Sequence, residues 1–165
     1  MASKKEEPEI VDVHELKLVG PSVVFKGEDW DEDNVEAQKL WGEAGYFQKV
    51  ASLESRTDRS KCYGVIARNS PDQLSAIYMA AVQVADFDEI PLGTFAIVLP
   101  ASTYARFTLH GPVKGIGKLK SYVRKIWFPS SGYKLAHPYW YEVYGEQFRG
   151  GVEPTSELEL YFPIV

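Results

Sequence analysis

Cysteine is almost absent from the 165-residue sequence, which contains only Cys62. A single cysteine cannot form an internal disulfide, which fits a reducing compartment. There is no run of about 18 apolar residues, so the sequence excludes a membrane-spanning helix. The charged residues 1–8 lack the apolar core of a signal peptide, and we interpret them as a flexible tail. We therefore expect a cytoplasmic protein.

Motifs for metals and nucleotides are also missing. Residues 29–40 lack the glycine and the glutamate that an EF-hand loop needs at its sixth and twelfth positions. Residues 111–118 lack the GxxxxGK[ST] spacing of a phosphate-binding loop. The three histidines have no cysteine or pair of acids at metal-ligand spacing: His14, His110 and His137. We expect neither a metal site nor a cofactor.

The charge of the chain is negative but unevenly distributed. The formal net charge is −5, so we expect no direct binding to nucleic acid. Residues 28–36 contain six acidic side chains, whereas residues 101–140 contain seven basic ones and no acid. We interpret Lys118, Lys120, Arg124 and Lys125 mostly as the solvated side of an amphipathic helix, whose apolar face is predicted to include Ile126. The opposite charges of the two segments would favour pairing of two chains as a homodimer.

Hydrophobic periodicity and turn residues predict an α+β fold with a duplicated βαββ unit. We expect a single domain over residues 9–165, with pseudo-repeats at about 9–90 and 91–165, one antiparallel sheet, and both helices on one face. The first half is predicted to contain a strand at 10–25 that bends near Gly20, a helix at 34–53 with a candidate interruption at Gly45, and strands at 62–67 and 76–85. The second half is predicted to contain strands at 95–99 and 104–110, a helix at 116–127, and strands at 138–146 and 157–165.

Glu142 has an unusual setting within a predicted strand. Residues 138–144 are mostly aromatic or β-branched, which favours a strand. Alternation places Trp140, Glu142 and Tyr144 on one face of that strand. The carboxylate is then either solvated on a half-exposed strand or held in a cavity, where an unpaired charge is costly. A cationic guest would remove that cost and stack on the rings.

Five short segments carry a family resemblance: residues 78–84 (YMAAVQV), 90–95 (IPLGTF), 104–111 (YARFTLHG), 141–144 (YEVY) and 157–164 (ELELYFPI). In this order and spacing they resemble the GyrI-like small-molecule-binding domain, which is also the effector-binding module of AraC- and MerR-type multidrug regulators. The resemblance spans about residues 10–165. It implies a ligand cleft between the two βαββ halves, with Glu142 projecting into it. Many members of this family bind lipophilic cations or planar drugs.

The aromatic candidates come from the resemblance and from periodicity together. Tyr78 matches a family position near the ligand. Trp41 and Trp127 fall on the apolar faces of the two predicted helices, and we interpret them either as walls of the cleft or as core residues. Phe107 and Tyr104 alternate on one strand, so at most one of them faces the cleft. The candidate ligand-binding residues are Glu142, Trp140, Tyr144, Tyr78, Trp41, Trp127 and Phe107.

Three functions are compatible with this pattern. The first is capture of a small aromatic or cationic amphiphile, with Glu142 supplying the negative charge. The second is hydrolysis of a strained xenobiotic electrophile of the cyclopropanoid type, a reaction of one subfamily similar to these proteins, with Glu142 positioning or deprotonating water. The third is a protein-interaction module, as in family members that act on topoisomerase.

Overall fold

The architecture is an antiparallel sheet with helices against one face. The computed structural model describes residues 7–26, 35–42, 46–68 and 75–165, and within these ranges nine strands form one sheet. The predicted α+β fold is confirmed. The strands are β1 (Glu9–Val13), β2 (Leu16–Gly20), β3 (Ser22–Lys26), β4 (Cys62–Ala67), β5 (Ser75–Gln83), β6 (Phe95–Leu99), β7 (Ser102–His110), β8 (Tyr139–Tyr144) and β9 (Glu157–Pro163).

The two halves of the chain meet in the middle of the sheet. The strand order is β1-β7-β9-β8-β4-β5-β2-β6, and β3 also pairs with β5. The central contact is the antiparallel pair of β4 with β8, in which Gly64 lies opposite Glu142. Each half also supplies an outer strand to the other half, because β1 pairs with β7 and β6 pairs with β2.

The beginning of the sheet differs from the prediction. The single bent strand expected over residues 10–25 is wrong, since this segment forms the three strands β1, β2 and β3. The chain leaves β1 at one edge of the sheet and enters β2 near the opposite edge, so one continuous strand cannot satisfy both pairings. Pro21, which has no amide hydrogen for a sheet ladder, separates β2 from β3. Its carbonyl accepts a 3.0 Å hydrogen bond from the Ala80 amide.

The helices are shorter than the predicted ones. They are α1 (Val35–Trp41), α2 (Tyr46–Ala51), α3 (Ile116–Tyr122) and α4 (Phe128–Ser131). The predicted helix over 34–53 is therefore divided into α1 and α2, and the acidic segment predicted to lead into it lies mostly outside the described residues. A π-helical turn, Val123–Trp127, joins α3 to α4. Pro129 follows two residues after the end of this turn, and its ring and missing amide disfavour ordinary α-helical hydrogen bonding.

Two apolar clusters cover the two faces of the sheet. The helix-side cluster includes Val50 from α2, Val123 from the π-helical turn, and Leu160 from β9. The opposite cluster includes Leu18 from β2 and Tyr141 from β8. Residues 139–143 of β8 are consequently all buried. A polar side chain on the helix side of this strand must therefore find its partners inside the protein.

Gly20 marks the closest backbone approach at the corner between β2 and β5. A Cβ atom at this position would overlap the carbonyl group of Ala80. We expect Gly20→Ala to lower the free energy of unfolding by roughly 1–3 kcal/mol, the range for overpacking a filled core. Urea unfolding measures this change. Gly145→Ala is the matched control, because a Cβ there meets nothing within 4 Å. Equal unfolding midpoints for the two variants would contradict the prediction.

Candidate functional site

Glu142 is buried at the contact between the two halves. Its residue is 3% exposed. Its Oε1 accepts hydrogen bonds from the Tyr78 and Tyr144 hydroxyls, each at 2.9 Å. Its Oε2 lies 3.0 Å from Lys120 Nζ, which donates a hydrogen bond and forms an ion pair. The expectation of an unpaired carboxylate is therefore wrong, because a lysine from the same chain compensates the charge.

Gly64 provides the space in which this cluster forms. It lies opposite Glu142 on β4, and both the Glu142 and Tyr78 side chains extend over its Cα. A Cβ at position 64 would lie 2.5 Å from Glu142 Oε1 and would overlap the Tyr78 hydroxyl. The sequence analysis did not select this residue. Its signal is a glycine inside an otherwise apolar strand, which often marks the close approach of another group.

Trp41 continues the hydrogen-bond chain outward. Its Nε1–H donates to the Tyr78 hydroxyl at 3.1 Å, and Tyr78 in turn donates to Glu142. Burial, and then the neighbouring charge of Glu142, raise the pKa of Tyr78 and of Tyr144 well above the ordinary value for a phenol. Both hydroxyls therefore stay protonated and keep donating to the carboxylate.

The rings around Glu142 contact one another at their edges. Trp41 lies 5.4 Å from Tyr144 and 4.8 Å from Phe47, measured between ring centroids. Phe148 lies 4.7 Å from Tyr144 in an edge contact. We call Glu142, Lys120, Tyr78, Tyr144 and Trp41 the acidic cluster. Trp41 and Tyr144 are half-buried, so they form its outer part.

Lys120 was placed on the wrong side of its helix by the sequence analysis. Its side chain is 10% exposed, whereas Ile126, predicted to face inward, is 54% exposed. The buried stripe of the helix includes Leu119, Lys120 and Val123. Lys120 lies four residues after Ile116 and three before Val123, which is the spacing of a shared helix face. That spacing was available in the sequence, but a lysine in a basic segment is indistinguishable from a solvated one.

Three of the predicted site residues lie in a separate aromatic group. The Trp140 ring stacks on Phe162 with centroids 5.9 Å apart and an interplanar angle of 24°. Phe107 contacts both Phe162 and Trp127, at 5.9 and 5.3 Å. Phe107 faces the helices, whereas Tyr104 belongs to the opposite cluster. The structure thus brings Tyr78, Tyr144 and Trp41 to Glu142 and groups Trp140, Trp127 and Phe107 with Phe162.

The described part of the chain contains neither a metal-binding cluster nor a membrane-spanning helix. Over residues 7–26, 35–42, 46–68 and 75–165, no group of three or more His, Cys, Asp or Glu side chains is placed to hold a metal ion. In the same ranges, every helix is too short or too polar to cross a membrane.

A comparison with protein families identifies the family of this chain. The model of the Cass2 family, described as integron-associated effector binding protein, matches residues 9–164. The chain belongs to this family. It is a GyrI-like effector-binding domain, as the sequence resemblance predicted.

The relatives of this Cass2-family chain include a regulator and two solved structures. The transcriptional regulator BrlR of Pseudomonas aeruginosa is 25% identical over 126 residues, covering 76% of this chain but 45% of BrlR. SAV2435 bound to tetraphenylphosphonium matches with a TM-score of 0.76 and 18% identity, covering 96% and 94% of the two chains. The Vibrio cholerae integron cassette protein VCH_CASS2 matches with a TM-score of 0.61 and 15% identity, covering 96% of each chain. These two structures share the fold.

The ion pair makes a testable contribution to stability. Lys120→Met leaves the Glu142 carboxylate buried without a cation, and Glu142→Gln leaves the Lys120 ammonium buried without an anion. We therefore expect each variant to lose about 3–5 kcal/mol of unfolding free energy. The double variant should lose clearly less than the sum of the two, which a double-mutant cycle in urea measures. Lys118→Met is the control, because Lys118 is exposed. Additive losses would show that the two groups do not interact.

Gly64 gives a second prediction for the acidic cluster. Gly64→Ala should displace Glu142 or Tyr78 and break their hydrogen bond, because the new methyl group occupies the space of both polar atoms. We expect a loss of roughly 1–3 kcal/mol in unfolding free energy. Tyr78→Phe, which removes the same hydrogen bond without a clash, is the matched comparison. In a Tyr78→Phe background, Gly64→Ala should lower the unfolding free energy by less than it does in the native chain. An equal loss in both backgrounds would show that the alanine does not act through the Tyr78 hydroxyl.

Proposed function

We propose that this chain captures lipophilic cations at the acidic cluster. The observation that carries the proposal is the buried Glu142 carboxylate, which accepts hydrogen bonds from two phenols and a lysine where the two halves meet. A guest cation takes the position of Lys120 Nζ beside Oε2. The flat surfaces of Trp41 and Tyr144 then receive the apolar part of the guest.

Different interactions supply the affinity for a guest and the selectivity for its charge. Each cation–π contact contributes about 0.5–2 kcal/mol, and burial of apolar surface contributes about 25 cal/mol per Å². Micromolar binding requires about 8 kcal/mol, so ring contacts and burial must supply most of it. The carboxylate adds charge selectivity. Because Lys120 already neutralises Glu142, a neutral guest gains nothing from the exchange, whereas a cation replaces one charge partner with another.

The family relationship supports this proposal. SAV2435, which has the same fold, is known in a structure bound to tetraphenylphosphonium, a lipophilic cation. The part of BrlR that this chain matches is less than half of that regulator. We therefore propose that the chain supplies the ligand-binding function of such proteins, acting in the cytoplasm on drug-like amphiphiles. Homodimer formation stays a prediction.

Binding fits the site better than hydrolysis does. A general base needs a carboxylate oxygen within hydrogen-bonding reach of the water it activates. Both oxygens of Glu142 already accept hydrogen bonds from Tyr78, Tyr144 and Lys120. Three of its four acceptor positions are therefore filled, and the one left for a water lies on Oε2 beside Lys120, in a residue that is 3% exposed.

The binding test uses three guests of similar shape but different charge. Tryptophan fluorescence is titrated with tetraphenylphosphonium, the neutral triphenylphosphine oxide and the anionic tetraphenylborate. We expect the native chain to prefer the phosphonium, and Glu142→Gln to weaken its binding about tenfold, equivalent to about 1.4 kcal/mol. Glu146→Gln is the matched control, since Glu146 is exposed four residues further on. Circular dichroism establishes that each variant is folded at the temperature used.

Three outcomes would contradict this function. Equal affinity of the native chain for phosphonium and phosphine oxide would remove the role of charge. If the native chain and Glu142→Gln bound the phosphonium with equal affinity, the cation would bind at a site other than Glu142. Incubation with a cyclopropane-bearing alkylator, followed by mass spectrometry, should return the intact compound; a water adduct that Glu142→Gln abolishes would instead establish hydrolysis.

A further inference from the structure

A second cleft lies on the helix side of the sheet, beyond the acidic cluster. Its volume is about 420 Å³, within the range of small-molecule sites. Its polar lining comes from Arg68, which follows β4, Arg124 in the π-helical turn, and His137 before β8. Aromatic rings of Phe128, Trp140 and Phe162 form much of the remaining wall, and none of the described residues that line it is acidic. We call this the basic cleft.

The two arginines give the basic cleft a positive potential. Arg68 and Arg124 line the same cleft. Burial, and then the repulsion by the charge of Arg124, lower the pKa of Arg68. An arginine still stays charged at neutral pH, because its ordinary pKa lies far above neutrality. A planar guanidinium donates paired hydrogen bonds to carboxylate, sulfonate or phosphate oxygens. An anion between the two groups would relieve their repulsion.

The aromatic wall matches a flat ligand. The Trp140 indole and the Phe162 ring are nearly parallel, with an interplanar angle of 24°. The guanidinium carbon of Arg68 lies 6.0 Å from the centroid of the Trp140 ring. The charged group and the flat apolar surface are therefore adjacent, so one molecule with an acidic substituent on a ring system can contact both.

The walls of the basic cleft are fixed by backbone hydrogen bonds. The Arg68 amide donates to the Pro138 carbonyl at 2.8 Å, and the Ala136 amide donates to the Pro163 carbonyl at 2.9 Å. Lys134 and Val165 exchange two backbone hydrogen bonds, at 3.0 and 2.9 Å. The segment before β8 is thus held against both β4 and the end of β9. A wall held in this way loses little conformational freedom when a ligand binds.

We propose that the basic cleft is a second ligand site, which takes planar aromatic anions such as aryl sulfonates and aryl carboxylates. It is distinct from the acidic cluster, since neither Glu142 nor any other residue of that cluster lines it. The two sites therefore select guests of opposite charge on the same face of one sheet. This proposal stands independently of cation binding at Glu142.

Calorimetric titration with 2-naphthalenesulfonate tests the proposal. Its matched neutral probe is 2-naphthalenesulfonamide, and inorganic sulfate tests the anion without the ring. We expect the sulfonate to bind at least about tenfold more tightly than either, because only it uses both the guanidinium groups and the rings. Arg124→Gln and Arg68→Gln should each weaken sulfonate binding about tenfold. Lys125→Gln, an exposed neighbour with the same charge change, should leave it unaltered.

A second measurement, the indole N–H resonances of the native chain, tests the site even if the arginine variants do not fold. In the native chain, the sulfonate should shift the indole N–H resonance that Trp140→Phe removes, while the resonance that Trp41→Phe removes stays in place. Equal affinity for sulfonate and sulfonamide would overturn the proposal, as would an equal loss with Lys125→Gln. Absence of binding at millimolar sulfonate, or a shift confined to Trp41, would also overturn it.

Discussion

The ion pair between Lys120 and Glu142 is the interaction on which the helix side of this protein depends. Removing two charges from water is expensive, and an apolar pair of similar volume is often at least as stable. A buried pair in such a position therefore points to a role other than stability. Here the pair places a carboxylate among aromatic side chains, with Lys120 beside one of its oxygens and with Tyr78 and Tyr144 saturating the other.

The acidic cluster around this pair combines residues from both halves of the chain. Tyr78 and Trp41 come from the first half, whereas Glu142, Tyr144 and Lys120 come from the second. Gly64 lets the first group reach the second by leaving its own side-chain position empty. On the same strand as Glu142, two residues earlier, Trp140 turns toward arginines instead. One face of one sheet thus carries two different polar environments, a buried ion pair and a cleft lined by two arginines.

Sequence periodicity predicted which residues share a face of a strand, because an apolar or aromatic residue on such a face is usually buried. Alternation along β8 placed Trp140, Glu142 and Tyr144 on a common face, and they share it. Periodicity could not separate Trp140 from the acidic cluster, because a face is wide enough for two environments. Lys120 was missed because a buried lysine and a solvated one look alike until their partner is known. The division of residues 10–25 into three strands depends on pairings far away in the chain.

The exchange of outer strands between the halves affects how the chain can be assembled. Glu9 of β1 pairs in register with Arg106 of β7, so β1 has no partner during synthesis until almost a hundred further residues have followed. Unpaired strands in such intermediates are prone to aggregate. β1 carries the charges of Glu9 and Asp12 among its apolar residues, and charges of this kind discourage premature pairing with other chains. Neither half of the fold is complete by itself, because each lacks an outer strand that the other half supplies. The pairings of β1 with β7 and of β2 with β6 must therefore both form late, once strands from both halves are present.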